Sequence, residues 1–321
     1  MFTGESIDEN SVTPSLAGEI LVAVEDVTKR YAQRVAVEKL TLALRAGEVF
    51  GLVGANGGGK TTTLRILAGI LKPDKGHGRV LGFDILSEAG KIRARVGYMS
   101  QRLSLYADLS VFENLRFRAQ VYGSNRPRAA AETAIDDFEL TEFARSAAGR
   151  LSGGWARRLQ LAAALIHSPR LILLDEPTAG LDPVSRHEVW RRIGCLAAQG
   201  AGVIVSTHDL AEAERCSSAA LLSEGRIVAA GTPEQIARST DAVAFLLPGT
   251  DARQLARLVE AVPGVIATYP QGPGLRVVAD ATAEEGLRRV ASVNDTGFAH
   301  VAMRLEDAVL ASSKRCSRSG V

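Results

Sequence analysis

A glycine-rich segment that ends in a lysine and two threonines is the first part of the chain whose residue types and spacing suggest chemistry. Residues 54–61 read Gly-Ala-Asn-Gly-Gly-Gly-Lys-Thr, which matches the phosphate-binding spacing G-x-x-x-x-G-K-[ST]. Glycines let backbone N–H groups approach triphosphate oxygens without a Cβ in the way, and the start of the following helix favours negative charge. We expect the nucleotide to be contacted by Gly54, Asn56, Gly57, Gly58, Gly59, Lys60, Thr61 and Thr62.

The lysine and threonine side chains of this segment have different expected roles. Lys60 is expected to bridge the β- and γ-phosphates, Thr61 to bind Mg²⁺, and Thr62 to reach an α-phosphate oxygen. A glycine-rich turn that contains Lys-Thr by chance is the alternative. The predicted strand before the segment and the predicted helix after it disfavour that alternative.

A pair of adjacent carboxylates, Asp175 and Glu176, ends an apolar run at residues 171–174. A buried strand of an open α/β sheet delivers such acids at its carboxyl end, where ligands bind. We expect Asp175 to hold the Mg²⁺ shell and Glu176 to orient or deprotonate the attacking water. Taken alone, the pair would be read as solvated acids at a strand end; the phosphate-binding segment favours a catalytic role.

Alternation of strand-like and helical segments predicts how these groups are positioned. Residues 110–167 are mainly helical, with candidate caps at Ser110 and Ser152, and a further helix covers residues 186–198. The pattern indicates an α/β domain with a mostly parallel sheet, an antiparallel edge near its start and a helical insertion. We expect strands at residues 20–24, 40–44, 48–53, 171–174 and 203–206.

The chain after residue 240 follows a different pattern. Strand and helix signals from residue 242 to residue 304 alternate as β-α-β-β-α-β, the order of a small ferredoxin-like α+β domain. No residue there suggests chemistry, so we expect it to support dimer contact rather than to sense a ligand. The predicted divisions are a disordered segment at 1–18, a nucleotide-binding domain at 19–238, the α+β domain at 241–311 and a basic flexible tail at 312–321.

Composition limits the function classes. The net charge of +2 is too small to attract nucleic acid by its field alone. The three cysteines have no metal-ligand spacing, which favours reduced thiols in the cytosol. No apolar stretch has the length of a membrane span, and the acidic start lacks a secretory pattern. We therefore expect a cytoplasmic protein whose membrane role, if any, depends on a partner.

The run Leu151-Ser152-Gly153-Gly154-Trp155 resembles the LSGGQ signature of ATP-binding cassette (ABC) proteins. Other family motifs follow in order over about residues 20–235. Tyr31 resembles the adenine-stacking aromatic with Val37 packed nearby, Gln101 the Q-loop glutamine, Asp182 the D-loop aspartate and His208 the switch histidine. Two positions depart from the usual pattern: Trp155 replaces glutamine, as it often does in the exporter branch, and Gly58 replaces alanine or serine.

The resemblance implies a P-loop ABC ATPase fold and an ATP-hydrolysing dimer. In the family, the signature of one subunit covers the ATP held by the other, so Ser152, Gly153, Gly154 and Asp182 are expected to contact a nucleotide across the dimer. Gln101 is expected to contact the water and Mg²⁺, and His208 to sense the γ-phosphate. The implied catalytic residues are Glu176, His208, Gln101 and Lys60, and the implied metal ligands are Thr61, Gln101 and Asp175.

Weaker signals place the chain within the family. Residues 98–101, 105–115 and 304–310 look most like ABC-2 exporters of the daunorubicin-resistance and multidrug type. That resemblance implies a separate integral membrane permease, a second ATPase subunit and a location on the cytoplasmic face of the inner membrane. Our hypothesis is that residues 106–115 border the groove for the permease's coupling helix. The alternatives are an importer ATPase with a sensing C-terminal domain and a non-transport ATPase acting on DNA or ribosomes.

Overall fold

The computed structural model describes residues 18–248 and 252–318. The strands are β1 (Ile20–Tyr31), β2 (Arg34–Arg45), β3 (Val49–Val53), β4 (Lys75–Val80), β5 (Phe83–Asp84), β6 (Val96–Met99), β7 (Leu171–Asp175), β8 (Gly202–Thr207), β9 (Ser218–Ser223), β10 (Arg226–Gly231), β11 (Ala242–Pro248), β12 (Val265–Gln271), β13 (Gly274–Asp280) and β14 (Ala299–Val301). The helices are α1 (Lys60–Leu67), α2 (Ala89–Arg93), α3 (Val111–Val121), α4 (Pro127–Asp137), α5 (Gly153–Leu165), α6 (Pro183–Ala198), α7 (Leu210–Ala213), α8 (Pro233–Arg238), α9 (Ala252–Glu260), α10 (Glu284–Val293) and α11 (Leu305–Arg318).

A six-stranded sheet with the order β10-β9-β3-β8-β7-β6 forms the centre of the first domain. Strands β3, β6, β7, β8 and β9 run parallel, and β10 pairs antiparallel with β9. All residues of β3, β7 and β8 are buried, which explains their continuous apolar sequence, because helices cover both faces of a parallel sheet. Ile172 and Leu174 pack on the side of the helical insertion, whereas Leu171 and Leu173 pack on the opposite layer.

The antiparallel part near the start is a separate four-stranded sheet, β2-β1-β4-β5. Its inward residues, such as Val22 and Leu44, join the same apolar cluster as Leu52 of β3. The alternation of buried and exposed positions along β1 and β2 is typical of a sheet with one solvated face. This confirms the predicted antiparallel subdomain.

The helical insertion consists mainly of α3, α4 and α5. Helix α3 begins at a capping box in which the Ser110 hydroxyl and the Glu113 carboxylate each accept a backbone N–H of the other residue. Ser152 occupies the same position at the start of α5 but accepts no capping hydrogen bond. The sequence predicted both cap positions, and only the first is used for capping.

The C-terminal domain pairs its strands in the order β12-β13-β11-β14, all antiparallel. Helices α9 and α10 contribute Leu255, Val259 and Leu287 to the core on one face of this sheet. The order β-α-β-β-α-β and this pairing confirm the ferredoxin-like prediction.

Helix α11 is the last described element of the chain. It begins at Leu305 and continues to Arg318, so it includes residues 312–318 of the predicted basic flexible tail, and residues 319–321 lie outside the described part. The predicted disordered segment at 1–18 also lies outside the described residues except for Gly18. None of the helices in the described ranges is both long enough and apolar enough to traverse a bilayer.

A buried ion pair fixes α11 to the sheet of the C-terminal domain. The Arg276 guanidinium of β13 donates to both carboxylate oxygens of Asp307, to Oδ1 at 3.0 Å and to Oδ2 at 2.6 Å, and the Tyr269 hydroxyl donates to Oδ1 at 2.7 Å. Burial acts to raise the pKa of Asp307, but these hydrogen bonds outweigh it and hold the pKa below its usual value. On the other face of α11, Leu305 and Ala308 pack against Val53 and Leu221 of the first domain.

We expect Asp307→Ala to destabilise the chain by about 3–5 kcal/mol, because it leaves the buried Arg276 charge without its partner. Urea unfolding of the full chain measures this change. Glu285→Ala, which removes only an exposed pair with Arg289 on α10, is the matched control and should leave the unfolding midpoint unchanged. Equal unfolding midpoints for the two variants would contradict the stabilising role of the Asp307–Arg276 pair.

The same pair should make the stability of the chain depend on pH. Because the pKa of Asp307 is depressed in the folded chain, the stabilisation by its carboxylate should be present above about pH 4 and be lost as the pH falls further.

Candidate active site

Parallel strands bring the predicted catalytic residues to one edge of the central sheet. Strands β3, β6, β7 and β8 all end there, with Val53 paired to Thr207, Asp175 to Ser206 and Met99 to Leu174. The phosphate loop (residues 54–61), Gln101, Glu176 and His208 directly follow these ends. Ligands of open α/β sheets bind beyond the carboxyl ends of the strands, so this edge is the candidate active site.

Backbone geometry shows why the phosphate loop needs glycine. Gly59 has φ 103°, a conformation that favours glycine. A Cβ at Gly59 would lie 2.4 Å from the Ala36 carbonyl oxygen, and one at Gly54 would lie 2.3 Å from that of Leu222. The loop is therefore pressed against β2 and β9, and its remaining surface is free to face phosphates. Arg34 adds a hydrogen bond of 2.8 Å to the Gly57 carbonyl.

Lys60 has an almost fully buried side chain. It is 5% exposed, and its Nζ donates to the carbonyl oxygens of Gly54 at 2.7 Å and Ala55 at 3.1 Å. Its Nζ also lies 3.9 Å from Glu176 Oε1. Burial lowers the pKa of Lys60, while the nearby carboxylates of Glu176 and Asp175 act in the opposite direction. The ammonium thus stands between the loop carbonyls and the carboxylates, where γ-phosphate charge can replace the carboxylates as its partner.

Asp175 presents one oxygen to the protein and one to the site. Its Oδ1 accepts hydrogen bonds from Thr61 Oγ1 at 3.1 Å and Ser206 Oγ at 2.6 Å. Its Oδ2 is buried and has no hydrogen-bond partner among the described residues. An unpaired buried carboxylate oxygen beside a threonine hydroxyl fits a Mg²⁺ ion, which takes oxygen ligands and relies on substrate phosphates for others. The described residues include no cluster of three or more His, Cys, Asp or Glu side chains suited to a metal.

Glu176 is the carboxylate on which the other polar groups converge. Its Oε2 accepts from Gln101 Nε2 at 3.0 Å, and its Oε1 lies 3.4 Å from His208 Nδ1. Its backbone has φ 48°, and its N–H donates to the hydroxyl of Ser206 at 3.0 Å. A left-handed backbone at a non-glycine residue costs energy and persists only where the surroundings hold it. The neighbouring strand β8 does so here and directs the side chain towards Lys60.

The signature residues lie apart from the phosphate loop of the same chain. Ser152 precedes α5 without capping it, and Ser152, Gly154 and Asp182 border a cavity of about 370 Å³ between α5 and α6. The Asp182 carboxylate accepts hydrogen bonds from the N–H groups of Val184 and Ser185, which caps α6. Nucleotide contact by Ser152, Gly153, Gly154 and Asp182 stays a prediction.

The two predicted adenine contacts differ in their exposure. Tyr31 ends β1 and is exposed, with Lys29 Nζ 6.0 Å from the ring centroid, so its ring is available for stacking. Val37 is fully buried in the core, and its side chain would lie 3.5 Å from a Cβ at Gly59. Val37 therefore faces inward from β2 and supports the phosphate loop, and its contact with the nucleotide stays a prediction.

Glu212 of α7 was not singled out in the sequence. Its buried carboxylate accepts hydrogen bonds from the hydroxyls of Thr178 and Thr207, and Arg186 Nε lies 3.9 Å away. It therefore ties the segment before α6 to the end of β8, next to His208. The signal available in the sequence was a glutamate four residues after His208. Its role could be recognised only from the structure, which shows that its carboxylate is buried.

Two polar side chains of α5, Arg157 and Gln160, were also missed. They hydrogen-bond to the backbone of the segment that carries Gln101. Their spacing of three residues on an otherwise apolar helix face was the signal available in the sequence.

Fold and site together define the class as a P-loop nucleotide-binding protein. The family model described as "ABC transporter" matches residues 37–179, and a model described as "AAA domain, putative AbiEii toxin, Type IV TA system" matches residues 147–214. The Nod factor export ATP-binding protein I of Burkholderia pseudomallei is 41% identical over 215 residues, which cover 66% of this chain and 71% of that protein. The chain belongs to the ABC transporter family.

Two further relatives set the extent of the similarity. The probable multidrug ABC transporter ATP-binding protein YbhF of Escherichia coli is 40% identical over 222 residues, covering 68% of this chain but only 38% of YbhF. The daunorubicin resistance ATP-binding protein DrrA3 of Streptomyces coeruleorubidus is 36% identical over 245 residues, covering 75% of this chain and 78% of that protein.

Solved structures match the first domain. An ATP-binding subunit of an ABC transporter superposes with a TM-score of 0.62 at 32% identity, covering 68% of this chain and 92% of that chain. The dimeric, post-hydrolysis cassette MJ0796 bound to ADP and Pi also gives 0.62, at 27% identity, covering 66% of this chain and 98% of that chain. The ABC cassette fold predicted from the motifs is therefore confirmed.

We expect Lys60→Ala to weaken nucleotide binding by about 10- to 100-fold, because hydrogen bonds to charged groups contribute about 1.5–3 kcal/mol. Titration with a fluorescent ATP analogue measures this change. Lys91→Ala on α2, which removes only a surface pair with Glu88, should bind as the unchanged chain does. Equal affinity of both variants would show that Lys60 does not hold phosphate.

Proposed function

We propose that this chain is the ATP-hydrolysing subunit of a transporter, working as a dimer with two nucleotides at its interface and powering export through a separate ABC-2-type permease. The observation that carries the proposal is the convergence of Lys60, Gln101 and His208 on Glu176 at the end of β7. These are the residue types that phosphoryl transfer to water requires.

Each polar group of the site has a task that its position supports. The phosphate loop binds the β- and γ-phosphates through its N–H groups and Lys60. Glu176 accepts a proton from, or orients, the attacking water, and Gln101 and His208 hold that carboxylate and the water in place. Bound Mg²⁺, held by Thr61 and Asp175 with Gln101 nearby, would neutralise charge on the phosphates.

A second subunit follows from the position of the signature. Ser152 and the N–H groups of Gly153 and Gly154 form the start of α5, where an anion is favoured, and Ser152 and Gly154 border a cavity with α6 whose lining includes no residue of the phosphate loop. A second copy can bring its signature over the γ-phosphate held by the first. ATP then joins the two subunits, and hydrolysis removes the phosphate that both contact. The similar cassette MJ0796, solved as a dimer with ADP and Pi, supports this arrangement.

Export through a membrane partner is supported by the relatives and by one surface. The relatives named above are multidrug, Nod factor export and daunorubicin resistance ATP-binding proteins. Leu103, Tyr106, Phe117 and Val121 have exposed apolar side chains, and the rings of Tyr106 and Phe117, 5.1 Å apart, form an apolar patch beside the helical insertion. Such a patch is typical of a docking surface. We propose that it receives the permease and thereby holds the chain at the cytoplasmic face of the membrane.

We expect Glu176→Gln to lower ATP turnover at least about 100-fold, the contribution of a positioned base, while ATP binding persists. The ATP-bound variant should then accumulate as a dimer, measured by light scattering coupled to size exclusion. Glu234→Gln, at an exposed pair with Arg238, is the control. A normal rate for Glu176→Gln would contradict its catalytic role.

Ser152→Ala tests the shared site separately, because Ser152 borders the cavity between α5 and α6, whose lining includes no residue of the phosphate loop. We expect nucleotide binding to be retained and turnover to fall. Full activity of Ser152→Ala, together with activity per chain that is independent of dilution, would contradict the dimer.

The double substitution Tyr106→Ser and Phe117→Ser should move the chain from the membrane fraction to the supernatant of the source cells, because it removes apolar surface from the docking patch. Immunoblotting of the two fractions measures this shift. Val293→Ser, at an 84% exposed position of α10, is the control. Equal sedimentation of both variants would show that the patch does not hold a membrane partner.

A further inference from the structure

The segment that carries Gln101 has no regular secondary structure, yet its backbone is held tightly. It follows β6, and the side chains of Gln101 and Arg102 are exposed. Three consecutive carbonyl oxygens, those of Ser100, Gln101 and Arg102, nevertheless accept hydrogen bonds from two side chains of α5. The position of this segment therefore depends on α5.

Arg157 supplies the charged half of this contact. Its side chain is 9% exposed, and its guanidinium donates to the carbonyls of Ser100 at 3.2 Å and Gln101 at 2.5 Å. No carboxylate of the described residues pairs with it within 4.0 Å. A buried cation costs free energy unless hydrogen bonds compensate it, and the planar guanidinium holds two acceptors in a fixed geometry. Burial lowers its pKa, and the fields of Glu176 and Asp175 oppose that effect.

Gln160 completes the contact one turn further along α5. Its Oε1 accepts from Arg157 Nη1 at 3.0 Å, and its Nε2 donates to the carbonyls of Ser100 at 3.0 Å and Arg102 at 2.9 Å. Residues three apart lie on one face of a helix, so both side chains point at the same segment. Gln160 is only 3% exposed, which leaves it few alternative partners.

We propose that Arg157 and Gln160 are positioning residues that couple the signature at the start of α5 to the catalytic carboxylate of the same chain. The path is short: Ser152 precedes α5, Arg157 and Gln160 hold residues 100–102, and Gln101 Nε2 donates to Glu176 Oε2 at 3.0 Å. When the signature engages the second nucleotide, a displacement of α5 shifts Gln101 relative to Glu176. The proposal rests on the proposed ATPase function for the role of Glu176.

Arg157→Met tests this coupling because it keeps the volume of the side chain and removes its donors. We expect kcat to fall on the order of tenfold, since small misplacements of catalytic groups reduce rates strongly, with KM for ATP and analogue binding unchanged. If Arg157 acts through Gln101, the Arg157→Met, Gln101→Ala double variant should be no slower than Gln101→Ala alone. Additive losses in the double variant, or an unchanged kcat in Arg157→Met, would overturn the proposal.

A second readout does not depend on hydrolysis. Without nucleotide, amide hydrogen exchange over residues 100–105 should accelerate in Arg157→Met and in Gln160→Met, which removes bonds to the segment without removing a charge. Arg128→Met, at an exposed pair with Glu132 on α4, is the matched control. Its amide hydrogen exchange and its ATP hydrolysis should equal those of the protein without substitutions. If hydrogen exchange is unaltered in both Arg157→Met and Gln160→Met, the proposal that these side chains hold residues 100–102 is refuted. If the protein without substitutions had no ATPase activity, the proposed function would be refuted. The hydrogen-exchange result would still show whether Arg157 and Gln160 hold residues 100–102.

Discussion

Burial of three charges at one edge of the central sheet is the constraint on which the rest of the structure depends. The Lys60 ammonium and the carboxylates of Asp175 and Glu176 are all withdrawn from water, and buried charges are tolerated only when they are paired and hydrogen-bonded. The end of β8 supplies Ser206 to Asp175 and to the Glu176 backbone, and the phosphate loop supplies carbonyls to Lys60. A triphosphate fits because it brings negative charge to a cation that is already desolvated.

Glu176 connects parts of the chain that belong to different layers. Gln101 reaches it from the junction with the helical insertion, and His208 reaches it from the end of β8. Glu212 and Arg186 tie the region of His208 to α6, while Arg157 ties the region of Gln101 to α5. Helices α5 and α6 border one cavity at the signature, so these contacts connect that cavity to the surroundings of Glu176 from two sides.

The C-terminal domain is joined to the cassette beneath the phosphate loop. Helix α11 uses Asp307 to bind its own sheet and Leu305 and Ala308 to pack against Val53, the residue before that loop. Val309 and Ser312 also border a cavity of about 440 Å³ that includes Gly54 and His208. The buried ion pair fixes α11 to its own domain, and the same helix packs against the strand that precedes the phosphate loop.

The sequence by itself determined the chemistry of the phosphate loop, the carboxylate pair, the order of strands and helices and the ferredoxin-like pattern, because glycine conformation, turn chemistry and apolar periodicity are local properties. Tertiary structure decided the burial of Val37 and the contact of Arg157 with the Gln101 segment. Each of these depends on partners far away in the chain: Arg157 bonds residues more than fifty positions earlier. Spacing in a sequence reports which residues share a face, but only the packing of separate elements decides what that face meets.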